Sequence, residues 1–328
     1  MKLTTKLMAS AATAAVALTA ALPALAAEKW DMPMAYAATN FHSEHGVVFA
    51  DKVREHTGGA IDITVHAGGS LFGGGDIKRA IQTGQVPIGE RFMSAHANEA
   101  PLLGWDNLPF VASTYADNEK LWNAAKDKVN AQLGDLNLVA LYTCPWPGQG
   151  FYFNKEVSSS ADTQGVKFRS YNNATSRLAE LTGMLPVTIE AAEISQAFAT
   201  GVAESMVSSG ATGYDRKVWE SLTHFYEVDS WLPYNYVMVN KDVWSGVSAD
   251  NQAAITTCAA TAGAEGLAAS KAYTQFTMDG LRDGGMTVGP AGDQLMSDLR
   301  EVGAVMTSEW LEAAGDEGAA VVDAFKGN

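Results

Sequence analysis

A near-continuous alternation of short apolar strands with amphipathic helices is the feature that most limits what this chain can fold into. Residues 29–36 read as a strand. Residues 43–56 carry Val47, Val48, Phe49 and Val53 at helical spacing, and Gly58-Gly59 supplies a stop. The stretch 60–67 then alternates through Ile61, Ile63 and Val65, as a half-buried strand does. A glycine-rich loop, GGSLFGGG, leads to a short helix at 76–83, and residues 86–89 begin another strand. This β-α-β-α-β order predicts a mostly parallel sheet flanked by helices.

A second unit of the same kind starts after Pro145-Trp146-Pro147-Gly148, a stiff stretch that suits a crossing between lobes. It offers strands at 151–153, 166–169, 186–189 and 202–208, with helices at 174–181 and 191–200 between them. A strand at 236–240 leads to long helical segments, a short strand at 286–288 and a C-terminal helix at 294–312. The fold class is therefore α/β, with two lobes. Open α/β sheets bind ligands beyond the carboxyl ends of their strands, so two facing sheets make a cleft that a hinge can close.

Charge narrows the function. The 328 residues carry a formal net charge of −15, and no segment gathers Lys and Arg into a basic groove, which excludes nucleic acid as a partner. An anionic ligand would have to be held by local positive groups. At the start, Lys2 and Lys6 precede an apolar run, 7–26, that ends in Ala24-Leu25-Ala26. That pattern predicts a signal peptide over residues 1–26, with a retained membrane anchor as the alternative, and a soluble, periplasmic mature protein. Cys144 and Cys258 permit one disulfide in such a compartment, but each falls in a separate element and two free thiols are expected.

No catalytic set emerges, and neither a metal nor a cofactor is expected. The glycine-rich loop lacks the Gly-Lys-Ser/Thr ending of a phosphate loop, and His42, His45, His56 and His66 have no metal-type spacing. Ser208-Ser209-Gly210 is not a nucleophile elbow, because Met206 stands where the first glycine belongs. Arg169 ends a strand, so its planar fork of donors would stand at the ligand-binding edge and suit a carboxylate; a surface salt bridge is the competing reading. Aromatic residues near strand ends and crossings, among them Trp146, Tyr171, Tyr214, Trp231 and Tyr234, are candidate pocket walls. Asn172, Ser208, Glu90 and Arg91 are candidate polar contacts, with Arg91 alternatively pairing an acid on the facing lobe.

The chain resembles the solute-binding proteins of tripartite ATP-independent periplasmic (TRAP) transporters, of the DctP type. The likeness rests on FADKVREHTGGAIDITVHAGGSLFGGGDIKRAIQTGQ and NLPF, on DTQGVKFRS, on LTGMLPVTIEAAEISQAFATGVAES, and on VMVNKDVW. It implies that Arg169, in the Gly-x-Lys-x-Arg element, binds a ligand carboxylate, and that Ser208 falls about where members place a contacting asparagine. Some members carry a second arginine just after the lobe crossing; Gly148-Gln149-Gly150-Phe151 has none, which points to a monocarboxylate with an aromatic or otherwise hydrophobic body. The resemblance further implies a long helix spanning both lobes, with 27–146 plus about 235–274 in lobe I and 147–234 plus about 275–328 in lobe II. It implies membrane permease subunits as partners, and the protein is expected to be a monomer and not an enzyme. Rival readings are a ligand-presenting periplasmic sensor partner and an exported hydrolase or lyase.

Overall fold

The computed structural model describes residues 27–327; the expected signal peptide lies outside them. The first lobe begins with β1 (Glu28–Pro33), α1 (Phe41–His56), β2 (Ile61–His66), α2 (Ile77–Gln82), β3 (Ile88–Phe92), α3 (Tyr115–Asp135) and β4 (Leu138–Pro145). The chain then crosses into the second lobe through Trp146 to Gly148. There it forms β5 (Gln149–Phe153), β6 (Lys167–Ser170), α4 (Asn173–Leu181), β7 (Leu185–Thr188), α5 (Ile194–Ala199), β8 (Ser205–Ser209), α6 (Gly210–Asp215) and β9 (His224–Glu227). It returns as β10 (Tyr234–Asn240), followed by α7 (Lys241–Gly246), α8 (Ala249–Asp283), β11 (Thr287–Pro290) and α9 (Asp293–Gly327).

Local chemistry sets these boundaries. Asn40, Thr114, Asn172 and Ser248 each accept a hydrogen bond from a backbone N–H of the helix they precede, satisfying a donor that the first turn leaves free. Helix α8 is 35 residues long, which at about 1.5 Å per residue makes it roughly 52 Å. Its buried stripe runs Ile255, Cys258, Ala259, Ala262, Gly266 and Ser270, then Thr277, Met278 and Leu281. The small residues let it lie close to α1 and β4, and its far end packs on α6 and β11, so it spans both lobes.

Strands β1 and β2 pair alone, β3-β10-β4 form a second sheet, and β11-β9-β5-β8-β6-β7 form the sheet of the second lobe. The two-lobed α/β expectation stands, but the strand directions are more mixed than a mostly parallel sheet. Pairs β1/β2, β6/β7, β6/β8 and β9/β11 are parallel, whereas β10 runs antiparallel to β3 and β4, and β5 to β8 and β9. The antiparallel partners centre on β5 and β10. These are the strands that enter a sheet from the other lobe, not through a helical crossover.

Two other expectations need correction. The C-terminal helix continues to Gly327 and kinks at Gly315, and its last turns return to the first lobe: Val321 belongs to the same core as Trp105, Leu121 and Tyr236. The segment from about 275 to 328 is therefore shared, with Leu295, Leu299 and Met306 filling the second-lobe core beside Phe151 and Phe168. Strand β3 also extends beyond Gly89, so Glu90 and Arg91 lie within it and do not follow it. Cys144 and Cys258 are both buried and free, as expected.

Gly150 shows how tightly the crossing is built. A Cβ there would sit 2.4 Å from the Tyr226 carbonyl oxygen and 2.4 Å from the Phe225 ring, closer than any side chain tolerates. Gly150→Ala is expected to destabilise the protein by about 1–3 kcal/mol through overpacking. Urea unfolding at a fixed slope would check it, and an unchanged midpoint would show that the β5/β9 pair yields freely.

Candidate functional site

A cavity lies between the lobes, beside the ends of their strands. Its walls are Tyr36, Phe92 and Trp146 from the first lobe and the crossing, and Gln149, Arg169, Tyr171, Glu190, Ala191, Ser208, Thr212 and Pro233 beyond it. Its volume is about 40 Å³. A ligand that fits must be small. Phe92 of β3 meets Tyr171 edge to face across the cleft, with ring centroids 5.6 Å apart.

Arg169 is only 4% exposed, in β6 beside β7 and β8. Its Nε donates to the Ile189 carbonyl at 2.9 Å, which fixes the plane of the guanidinium, and its Cζ lies 5.2 Å from the centre of the Tyr171 ring. Among the described residues its two terminal nitrogens make no hydrogen bond and its charge makes no salt bridge. Burial pulls its pKa down to about 10, so the group stays charged at neutral pH. A buried cation with a free fork is costly unless an anion completes it. Burial pushes the Tyr36 and Tyr171 phenols up, so both remain neutral.

Three polar contacts hold the lobes together over the cavity. Arg91 of β3 grips Glu190, just past β7, with both terminal nitrogens, at 3.2 and 3.0 Å. Asn40, capping α1, donates to Asp215 at the end of α6 at 2.6 Å, and Tyr273 of α8 donates to the other oxygen of Asp215 at 2.8 Å. Asn172 donates to the Asn107 side-chain oxygen. The cleft is shut.

Of the residues predicted from sequence, Arg169, Trp146, Tyr171 and Ser208 line the cavity. Arg91 does so only through Glu190, in the facing-lobe pairing offered as its alternative role. Five predicted contacts lie elsewhere. Glu90 accepts from His42 Nδ1 at 2.8 Å inside the first lobe, on the opposite face of β3 from Arg91, because side chains alternate along a strand. Asn172 is consumed by capping α4 and bridging to Asn107. Tyr214 packs on Trp219, Tyr273 and Phe276 outside the cavity. Trp231 stands behind the wall, donating its Nε1–H to the Tyr171 hydroxyl at 3.0 Å. Tyr234 stacks with Trp105 and Trp122 in the first-lobe core. The sequence reading missed Tyr36, Phe92, Gln149, Glu190 and Thr212. Glu190 lies just past the end of a strand and Arg169 just before one, so the same edge rule would have found it.

Residues 34–313 match the family model "Bacterial extracellular solute-binding protein, family 7". The chain belongs to this family. Among solved structures, the family 7 chain is similar to a TRAP solute-binding protein specific for pyroglutamate from an unidentified marine metagenome microbe. Identity is 64%, the TM-score is 0.92, and the match covers 93% of this chain and all of that one. It is also similar to DctP6 of Bordetella pertussis, an extracytoplasmic solute receptor binding pyroglutamic acid, at 38% identity and a TM-score of 0.90, over 92% of this chain and 100% of that chain. A monocarboxylate 2-oxoacid-binding periplasmic protein of Nostoc sp. is 25% identical over 77% of this chain and 71% of its own length. The family 7 chain is thus a solute-binding receptor of the TRAP type, as its Gly-x-Lys-x-Arg element implied.

Proposed function

We propose that this family 7 receptor captures a small cyclic monocarboxylate of the pyroglutamate type in the periplasm and hands it to a TRAP membrane permease. The observation that carries the reading is the buried, charged Arg169, whose free donor fork borders a cavity of about 40 Å³. A carboxylate would take both terminal nitrogens in parallel hydrogen bonds, strengthened by the loss of water. Ser208 and Thr212 offer further donors, and Tyr36, Phe92, Trp146 and Tyr171 give the cavity aromatic walls suited to a small ring. The pyroglutamate specificity of the 64% identical marine protein supports the same class. The 2-oxoacid specificity of the Nostoc relative supports only the monocarboxylate.

In this reading the protein acts as a monomer, exported by a leader over residues 1–26, and binds without turnover. Its lobes hinge along α8 and at the crossings near Trp146 and Pro233. Titration calorimetry of the mature protein should show one site for L-pyroglutamate. A thermal scan with ligand at about a thousandfold over Kd should show roughly 4 kcal/mol of added stability. Binding of pyruvate or a uronate but not of pyroglutamate would overturn the assignment.

A further inference from the structure

We infer that Glu190 is the specificity-determining acceptor of the cleft, selecting monocarboxylates that carry an N–H donor on the atom next to the carboxylate-bearing carbon. The inference rests on the proposed ligand class and sharpens it.

Glu190 lines the same cavity as Arg169, and its negative charge acts on that arginine. Arg91 donates one hydrogen bond to each Glu190 oxygen, which fixes the plane of the carboxylate. An ionised carboxylate has about four lone-pair sites, so Arg91 leaves about two unfilled. The pair is built in: a Cβ on Gly74 would fall 2.5 Å from Glu190 Oε2 and 2.7 Å from Arg91 Nη1. The glycine-rich loop that carries no phosphate motif thus clears space for this clamp.

The cavity therefore presents a fixed positive group and a fixed negative one. An anion enters against the Glu190 charge unless it brings a donor to that side. A lactam N–H satisfies Glu190. A keto, ether or ester oxygen in its place sets lone pair against lone pair, and a site built to bond an N–H rejects the analogue lacking it.

The test compares L-pyroglutamate with its lactone counterpart, 5-oxotetrahydrofuran-2-carboxylate, in which a ring oxygen replaces the N–H. Calorimetry on the wild-type protein should give at least roughly a hundredfold preference for the lactam. Glu190→Gln, whose side chain can donate, should bind the lactam more weakly and the lactone more tightly than wild type does. Equal wild-type affinity for lactam and lactone overturns the inference while leaving the proposed function intact. So does a Glu190→Gln variant that weakens both ligands by the same factor, since that is the mark of a lost lobe clamp alone. A wild-type protein that binds neither overturns the proposed function, and this inference with it.

Discussion

Replacing Arg169 with alanine is expected to abolish useful ligand capture while leaving the empty protein at least as stable as before. Truncating one partner of a buried, hydrogen-bonded charge pair costs about 2–5 kcal/mol of binding, or roughly thirtyfold to several thousandfold in Kd. Part of that cost comes from the ligand, whose carboxylate would enter a dry cavity with no cation facing it. The empty protein behaves in the opposite sense. Its guanidinium has given up water, keeps one hydrogen bond to the Ile189 carbonyl, and makes no salt bridge among the described residues. Removing it relieves a desolvation penalty, so ligand-free melting temperatures of Arg169→Ala and the better-filling Arg169→Met should match or exceed the wild type. Calorimetry gives the first quantity and thermal scans the second. A variant that keeps wild-type affinity, or that melts well below the wild type without ligand, would show that Arg169 serves the fold and not the ligand.

A second large effect is expected from pH. Asp106 is fully buried, with one carboxylate oxygen accepting from the Tyr234 N–H at 2.7 Å and the other without a partner. Burial raises its pKa from 3.8 to about 7, against the lesser pull of that backbone bond. Between about pH 4 and 7 the folded protein thus holds a proton that the unfolded chain has lost. This group's contribution to stability is complete at low pH, declines as pH rises through that window, and levels off above about 7. A shift of about three units corresponds to roughly 4 kcal/mol. Carboxylates held ionised by surface partners, such as Asp62 beside Lys29 and Arg54, slope the other way, so the difference between variant and wild type is the quantity to follow. Asp106→Asn keeps an oxygen for the Tyr234 N–H and carries no charge. Its stability relative to wild type should climb from about pH 4 to 7 and then hold steady. A difference that stays flat from pH 4 to 8 in urea unfolding would rule out a raised Asp106.

Much of the fold was legible because hydrophobic period and stop signals agree locally. Helix α1 was legible from its apolar spacing and its Gly58-Gly59 stop, although of the residues carrying that spacing only Phe49 and Val53 are buried while Val47 and Val48 are exposed. Strands β4 and β5, on either side of the Pro-Trp-Pro-Gly stretch, lie in different sheets. Arg169 was read as the end of its strand; β6 runs one residue further, to Ser170, and the arginine nevertheless borders the cavity. The aromatic residues show the limit of such reasoning. Proline and glycine beside a ring mark a turn, but they do not say which side of it faces the ligand. Trp146 and Tyr171 reached the cavity, while Tyr234 turned inward onto Trp105 and Trp122. The error at Glu90 and Arg91 came from ending a strand at Gly89, a residue depleted in strands. With the strand ended there, the alternation that sends these two charges to opposite faces was lost. That Arg91 could pair an acid on the facing lobe was legible, but which acid, Glu190, depends on the chain's path between lobes and leaves no local trace.

Helix α9 has a consequence for when this molecule can fold at all. It seals both lobes, with Leu295, Leu299 and Met306 in one core and Val321 in the other, and it follows every other described strand and helix of both lobes in the sequence. Strand β11, at one edge of the six-stranded sheet, also arrives late. A growing chain therefore cannot complete either hydrophobic interior until residues 287–327 have emerged, and contacts between such distant segments form slowly. The two lobes therefore finish folding together, once this shared segment is in place, and not one after the other.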